Sequence, residues 1–226
     1  MIDYLTYKNN VYSENGEDGI LEKLIQDLNL TVSKDFWVCD IGAWDGKKIS
    51  NVYCLIENGA SGVLIEEENT EEKYKALEKL AKENERILPV NVGISWKTEG
   101  NAEEITRREY LNDPDKTLDK VLSETPIPKD FDVLNIDTDT ADHEIWETVT
   151  DYRPKIVITE INSNIPRDSV TSGEIGDNKS YNESIEYADK MGYSLVCSTG
   201  IMMNIPIQPY AGNMIYVRND LFELIK

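Results

Sequence analysis

The sequence is short of cysteine, of positive charge and of long apolar runs. It has three cysteines, 23 basic side chains against 43 acidic ones, and nothing near the roughly 18 consecutive apolar residues that a membrane span needs. No membrane span is therefore expected. The cysteines, at 39, 54 and 197, are odd in number and make no metal-type pair. Cys39 and Cys197 lie in apolar runs and read as buried free thiols in a reducing compartment. The opening stretch MIDYLTYKNNVYSENGEDG is polar, without the apolar region of an export signal, so the expected location is cytoplasmic. The net charge of −20 keeps the chain soluble and repels nucleic acid, whose phosphates need clustered Lys and Arg. An RNA or DNA partner is not expected.

The 226 residues, 40% of them hydrophobic, suffice for one ordinary globular domain, and no repeat or long linker divides them. Apolar periodicity alternates between two types. Helices are predicted over 14–30 (with Asn15 as N-cap), 48–58, 71–85, 117–124, 142–152 and 181–192. Strands are predicted over 36–43, 61–68, 87–95, 131–139, 155–162, 193–199 and 213–220, with Pro89 favouring an edge position for the third. This alternation predicts an α/β fold: a mostly parallel sheet with helices on both faces. The last two strands have no helix between them and predict a hairpin with an antiparallel edge strand. Ligands of such sheets bind beyond the carboxyl ends of the strands, and Asp40, Glu66, Asn91, Asp137 and Glu160 all fall at predicted strand ends.

Residues 38–51 read VCDIGAWDGKKISN, an apolar strand followed by a glycine turn. A dinucleotide fingerprint needs G-x-G-x-x-G so that the backbone can approach a pyrophosphate. Here Gly42 matches, but Trp44 and Lys47 occupy the next two glycine positions, and Asp40 and Asp45 frame the turn. Acids suit a cation rather than a phosphate. S-adenosylmethionine carries a sulfonium, an ammonium and a ribose diol, and Glu66 stands where an acid accepts both ribose hydroxyls. The expected cofactor is S-adenosyl-L-methionine, in a pocket shaped by Asp40, Gly42, Ala43, Asp45, Gly46, Asn51, Glu66 and Asn91.

GEDGILEKL (16–24), DIGAWDGKKISNVYCLIENGASGVLIE (40–66), TLDKVL (117–122), FDVLNIDTDTADHEIW (131–146) and PKIVITEIN (154–162) follow, in order, the landmarks of FkbM-like class I methyltransferases. The resemblance covers roughly residues 12–220. It implies a Rossmann-like class I methyltransferase fold whose seventh strand lies antiparallel between the fifth and sixth. Residues 1–30 would be an N-terminal segment and helix, and 31–226 the Rossmann-like core. The resemblance further implies O-methylation, most often of sugars or natural products, with YSENGEDG folding over the cofactor. Two departures stand out. Glu14 replaces a frequent Gln, and Thr140 replaces the glycine of I-D-x-E-G-x-E, which alters the acceptor-side turn.

Methyl transfer needs positioning and deprotonation of the acceptor hydroxyl. The candidates are Asp137, Asp139 and His143, the only histidine. Asp137, Glu160 and Asn162, from adjacent strand ends, resemble an oxygen-ligand triad for Mg²⁺ or Mn²⁺. Structural alternatives remain open: Asp139 and Asp142 as helix caps, His143 as a surface residue, and Glu160 paired with Arg153 or Lys155. Arg167, Tyr181 and Tyr210, on long rim loops, are candidates to stack on a sugar. The expected function is S-adenosylmethionine-dependent O-methylation of a sugar hydroxyl on a small-molecule or glycan acceptor. The alternatives are a metal-dependent glycosyltransferase using Asp137-Thr138-Asp139 and a non-catalytic nucleoside-binding module.

Overall fold

The computed structural model describes residues 2–67, 72–96, 113–138, 141–162, 165–169, 179–199 and 211–226. In chain order these form α1 (Glu17–Asp27), β1 (Trp37–Ile41), α2 (Tyr53–Glu57), β2 (Ser61–Glu66), α3 (Lys73–Glu83), β3 (Ile87–Asn91), α4 (Leu118–Ser123), β4 (Val133–Ile136), α5 (Asp142–Glu147), β5 (Ile156–Asn162), α6 (Tyr181–Met191), β6 (Tyr193–Ser198), β7 (Ala211–Arg218) and α7 (Asn219–Phe222). The sheet runs β3-β2-β1-β4-β5-β7-β6. β7 is antiparallel to both β5 and β6, and the other neighbours are parallel. Pro89 sits on an edge strand, where a missing N–H leaves no ladder bond unmade.

The last two strands do pair, but the antiparallel member is interior. β7 inserts between β5 and β6, so the edge strand is β6, which runs parallel to the rest. The Rossmann-like class I methyltransferase arrangement expected from the resemblance is the one observed.

The period-2 alternation of the strands divides the core in two. Val38, Leu64, Val133, Ile158 and Ile215 meet Ile20, Leu24 and Ile56 of α1 and α2 and Leu77 of α3. Cys39, Val63, Leu134, Val157 and Tyr216 point the other way, onto Leu118, Leu122, Trp146 and Ala188 of α4 to α6. Burying each large aliphatic side chain contributes roughly 1.5–3 kcal/mol, so both faces must be covered. Central strands apolar on both faces are what a parallel sheet requires.

Most elements are shorter than their sequence pattern. α2 begins at Tyr53 rather than near 48, because Ile49 is left-handed (φ 58°) and the Ser50 hydroxyl accepts the N–H groups of Val52 and Tyr53. α1 is capped by Gly16 (φ 96°) and not by Asn15, whose N–H donates to Glu17 Oε2 at 2.8 Å. α6 carries a capping box between Ser180 and Glu183 and ends at left-handed Gly192. The three cysteines are free; Cys39 is buried, while Cys197, on the edge strand, is only half-buried. Among the described residues no helix is long and apolar enough to cross a membrane.

Candidate functional site

The β1–α2 turn is built by close backbone approach. Ile41 O accepts the Asp137 N–H at 3.0 Å, extending the pairing of β1 and β4 past the strands. Gly42, at φ 79°, follows directly, and a Cβ there would lie 1.9 Å from the Asp137 carbonyl oxygen. Its N–H and that of Ala43 both donate to Ile65 O, at 3.0 and 3.1 Å, which fastens the turn to β2. Trp44 N–H then donates to Glu66 Oε2 at 2.8 Å. Asp45 Oδ1 accepts the N–H groups of Lys47 and Lys48, at 2.9 and 2.7 Å. A Cβ on Gly46 (φ 78°) would meet Leu77 and Leu80 of α3 within 3 Å.

This turn edges a cavity of about 830 Å³ at the carboxyl ends of β1, β2, β4 and β5. Its location is the switch point where strand order reverses, between β1 and β4. Among the described residues six carboxylates line it: Glu14, Asp40, Glu66, Glu67, Asp137 and Glu160. Only two cations do, Lys48 and Lys73. A pyrophosphate would meet mainly repulsion there, whereas a sulfonium or ammonium would be favoured. A volume within the roughly 300–1,000 Å³ range of small-molecule pockets, with this donor set, fits S-adenosylmethionine.

A chain of side-chain amides runs beneath the cavity. Asn135 Nδ2 donates to Asp40 Oδ1 at 2.7 Å, and Asn51 Nδ2 donates to Asn135 Oδ1 at 3.1 Å. Asn213 Nδ2 donates to Asn51 Oδ1 at 3.4 Å and to Glu17 Oε1 at 2.9 Å. Thr199 Oγ1 donates to the same Glu17 oxygen at 2.5 Å. All six residues are buried. Of these six residues, only Asn213 has a buried side-chain oxygen, Oδ1, without a partner. Asp40, Asn135 and Asn213 lie two residues from Val38, Val133 and Ile215 and share their strand face, toward α1 and α2, so their polar groups meet one another at the carboxyl end of that layer. Burial raises the Asp40 carboxyl to about 7, assisted by the charges of Asp137 and Glu66 and opposed by hydrogen bonds from Asn135 and Ser50.

The opposite wall is held by Asp142. Its Oδ1 accepts Thr138 N–H at 3.0 Å and Thr138 Oγ1 at 2.8 Å, and its Oδ2 accepts Glu160 N–H at 2.9 Å. One buried carboxyl thus ties the segment after β4 to the end of β5. Burial, with the Asp137 charge, raises it to about 8 against the pull of those hydrogen bonds. Asp142 is the first residue of α5 and not its cap, which is Ala141.

Of the expected cofactor residues, Asp40, Gly42, Ala43, Asn51 and Glu66 line the cavity. Asp45 and Gly46 shape the turn without lining it, and Asn91 is exposed at the end of β3. The cavity is instead reached by Val92, Gly93, Ile94 and Trp96, just beyond that strand. Asp137 and Glu160 line the cavity at the ends of β4 and β5. Lys155 pairs with Asp132 at 2.8 Å rather than with Glu160. His143 is neither on the surface nor in the cavity lining. It is 3% exposed, edge-on to Tyr187 at 5.3 Å, and burial lowers it to about 3. Asp139, Tyr210 and the side chain of Asn162 lie outside the described residues. Among the described residues no three His, Cys, Asp or Glu side chains gather as a metal ion would require. Arg167 stacks on Tyr181 at 4.3 Å, and both line a second recess of about 340 Å³ beside β6, away from the main cavity. Glu14 and Asn15 bring the N-terminal arm to the main cavity.

The sequence reading missed Asn135, Asn213 and Glu17. The available signal was an amide inside an otherwise apolar strand, as in VLNI (133–136).

The methyltransferase FkbM domain family matches residues 40–195. No curated protein sequence matches the chain. Among solved structures, a putative hemolysin from Lactococcus lactis is similar over 93% of this chain and 90% of its own, at 16% identity and a TM-score of 0.51. An S-adenosylmethionine-dependent methyltransferase from Clostridium acetobutylicum aligns over 92% of this chain and 93% of its own, at 13% identity and a TM-score of 0.48. A SAM-dependent methyltransferase from Aquifex aeolicus aligns over 86% and 87%, at 10% identity and a TM-score of 0.47. At such identities the likeness is one of fold.

Proposed function

The chain belongs to the FkbM methyltransferase family, and we propose that this S-adenosylmethionine-dependent member methylates a hydroxyl oxygen of a sugar-like small molecule or glycan. The observation that carries this reading is the division of one cavity into two sides. Glu66 stands at the end of β2, while Asp137 stands just after β4 and Glu160 near the end of β5.

When bound, the cofactor supplies an electrophilic methyl carbon on a sulfonium, and the methyl leaves a neutral thioether behind. Glu66, already oriented by Trp44 N–H, receives the ribose hydroxyls. Asp40, fixed by Asn135, offers its carboxylate to the cofactor's positive end. Asp137 would accept the proton of the acceptor hydroxyl, and Glu160 would hydrogen-bond a neighbouring hydroxyl. Asp142 keeps these two walls in register for the in-line approach. The proton does not pass to His143, which is buried edge-on to Tyr187 and does not line the cavity. Asp137, Glu160 and Asn162 would be the donors for a divalent ion.

The test is incubation with methyl-labelled S-adenosylmethionine and a panel of neutral monosaccharides and oligosaccharides, with products read by mass spectrometry. An O-methyl product is expected. Label appearing only on nitrogen or carbon of other acceptors would contradict the hydroxyl assignment.

A further inference from the structure

Trp44 is not explained by the turn that holds it. Its φ is 50°, in the left-handed region that strains a bulky side chain and that glycine would occupy freely. It nonetheless leaves its indole 41% exposed at the cavity rim. Backbone outliers of this kind mark positions where the side chain's placement matters more than local comfort.

Two contacts fix the side of the cavity on which the ring lies. Trp44 N–H donates to Glu66 Oε2 at 2.8 Å. Lys73 Nζ lies 5.4 Å from the indole centroid and 3.8 Å from Glu66 Oε1. Lys48 Nζ, at 4.9 Å, approaches the ring as well. The indole and the Glu66 carboxylate thus belong to one wall; of the lysines that border the ring, Lys48 is exposed and Lys73 has a 43% exposed side chain, so both can swing aside into solvent.

We propose that Trp44 is a cofactor-binding residue whose indole closes over the nucleoside end of S-adenosylmethionine, beside Glu66. The proposal rests on the methyltransferase reading. An aromatic ring on the purine face contributes binding without naming any hydrogen bond, and it excludes water from the ribose contacts of Glu66.

Calorimetric titration of the wild type, Trp44→Gly and Trp44→Phe with S-adenosylhomocysteine and with 5′-methylthioadenosine tests it, alongside melting curves. Trp44→Gly is expected to weaken both ligands by the same factor, roughly tenfold or more, and Trp44→Phe to recover most of the loss. Its melting temperature should equal or exceed that of the wild type, since glycine suits the positive φ. Equal affinity in wild type and Trp44→Gly would overturn the proposal alone. So would a loss confined to S-adenosylhomocysteine, which would put the indole at the amino-acid end, or a fall in melting temperature that Phe corrects with no change in affinity. A wild type that binds neither ligand would overturn the methyltransferase reading and this proposal together.

Discussion

Asn135 and Asp40 are register partners on β4 and β1, and the Asn135 amide donates to Asp40 Oδ1 at 2.7 Å on the face covered by α1 and α2. The bond orients a buried carboxyl toward the cavity and leaves the rest of the amide chain, through Asn51 and Asn213, to end on Glu17. A helix that never touches the cavity through Glu17 thereby sets the direction of an acid that does.

Asp40 makes cofactor binding pH-dependent. Its carboxyl is raised to about 7 by burial in the fold. A cation beside it favours the ionised form, so binding near neutrality releases a proton. Affinity for S-adenosylmethionine is expected to rise between pH 6 and 8, with calorimetric heats that vary with the ionisation heat of the buffer. Asp40→Asn should remove both effects. Flat affinity across that range in the wild type would detach Asp40 from the cofactor.

The same two buried acids govern stability. Asp40 and Asp142 are raised to about 7 and 8 in the fold, above their ordinary value of 3.8. The folded state therefore holds protons that the unfolded chain releases. Their contribution is full below the unfolded value and is lost as pH rises toward the folded values. Melting temperature should fall between pH 5 and pH 8, and Asp142→Asn should flatten that slope while lowering stability, because it breaks the link from Thr138 to Glu160. A melting temperature that climbs over the same range would contradict the assignment.

Glu66→Ala is expected to weaken S-adenosylhomocysteine binding by roughly tenfold or more, since hydrogen bonds to a charged group contribute about 1.5–3 kcal/mol. Glu66→Gln keeps an acceptor for Trp44 N–H and should fall between Ala and the wild type. Titration calorimetry reads both, and unchanged affinity in the Ala variant would remove Glu66 from the ribose.

Asp137→Asn is expected to lower kcat by roughly a hundredfold or more, the usual scale for a lost general base, while leaving cofactor affinity nearly unchanged. Chelation with EDTA should leave wild-type turnover unaltered. Loss of turnover in EDTA with recovery in Mn²⁺ would replace the carboxylate mechanism with one through a metal on Asp137, Glu160 and Asn162.

The alternation of strands and helices along the chain and the two-faced core were legible because each depends on local period: apolar runs for buried parallel strands, and helical spacing for elements such as α3. The place of β7 was not. A hairpin looks the same in sequence whether its second strand lands at an edge or inserts beside β5, and only the likeness to a family distinguished the two. The glycine turn pointed to the cavity, yet Gly46 works by admitting Leu77 and Leu80, a contact between elements that no local pattern carries. The burial of His143 was not legible for a related reason: position in a first helical turn says nothing of whether α6 will lay Tyr187 across it. The amide chain joins residues up to 196 positions apart, from Glu17 to Asn213, and becomes visible only when the sheet is assembled.

The most direct test of the account is calorimetric titration of the protein with S-adenosylmethionine and S-adenosylhomocysteine, repeated with a nucleotide sugar and Mn²⁺. Micromolar binding of both S-adenosyl ligands, with none of the nucleotide sugar, is the expected result. Binding of the nucleotide sugar with Mn²⁺, and of neither S-adenosyl ligand, would contradict it.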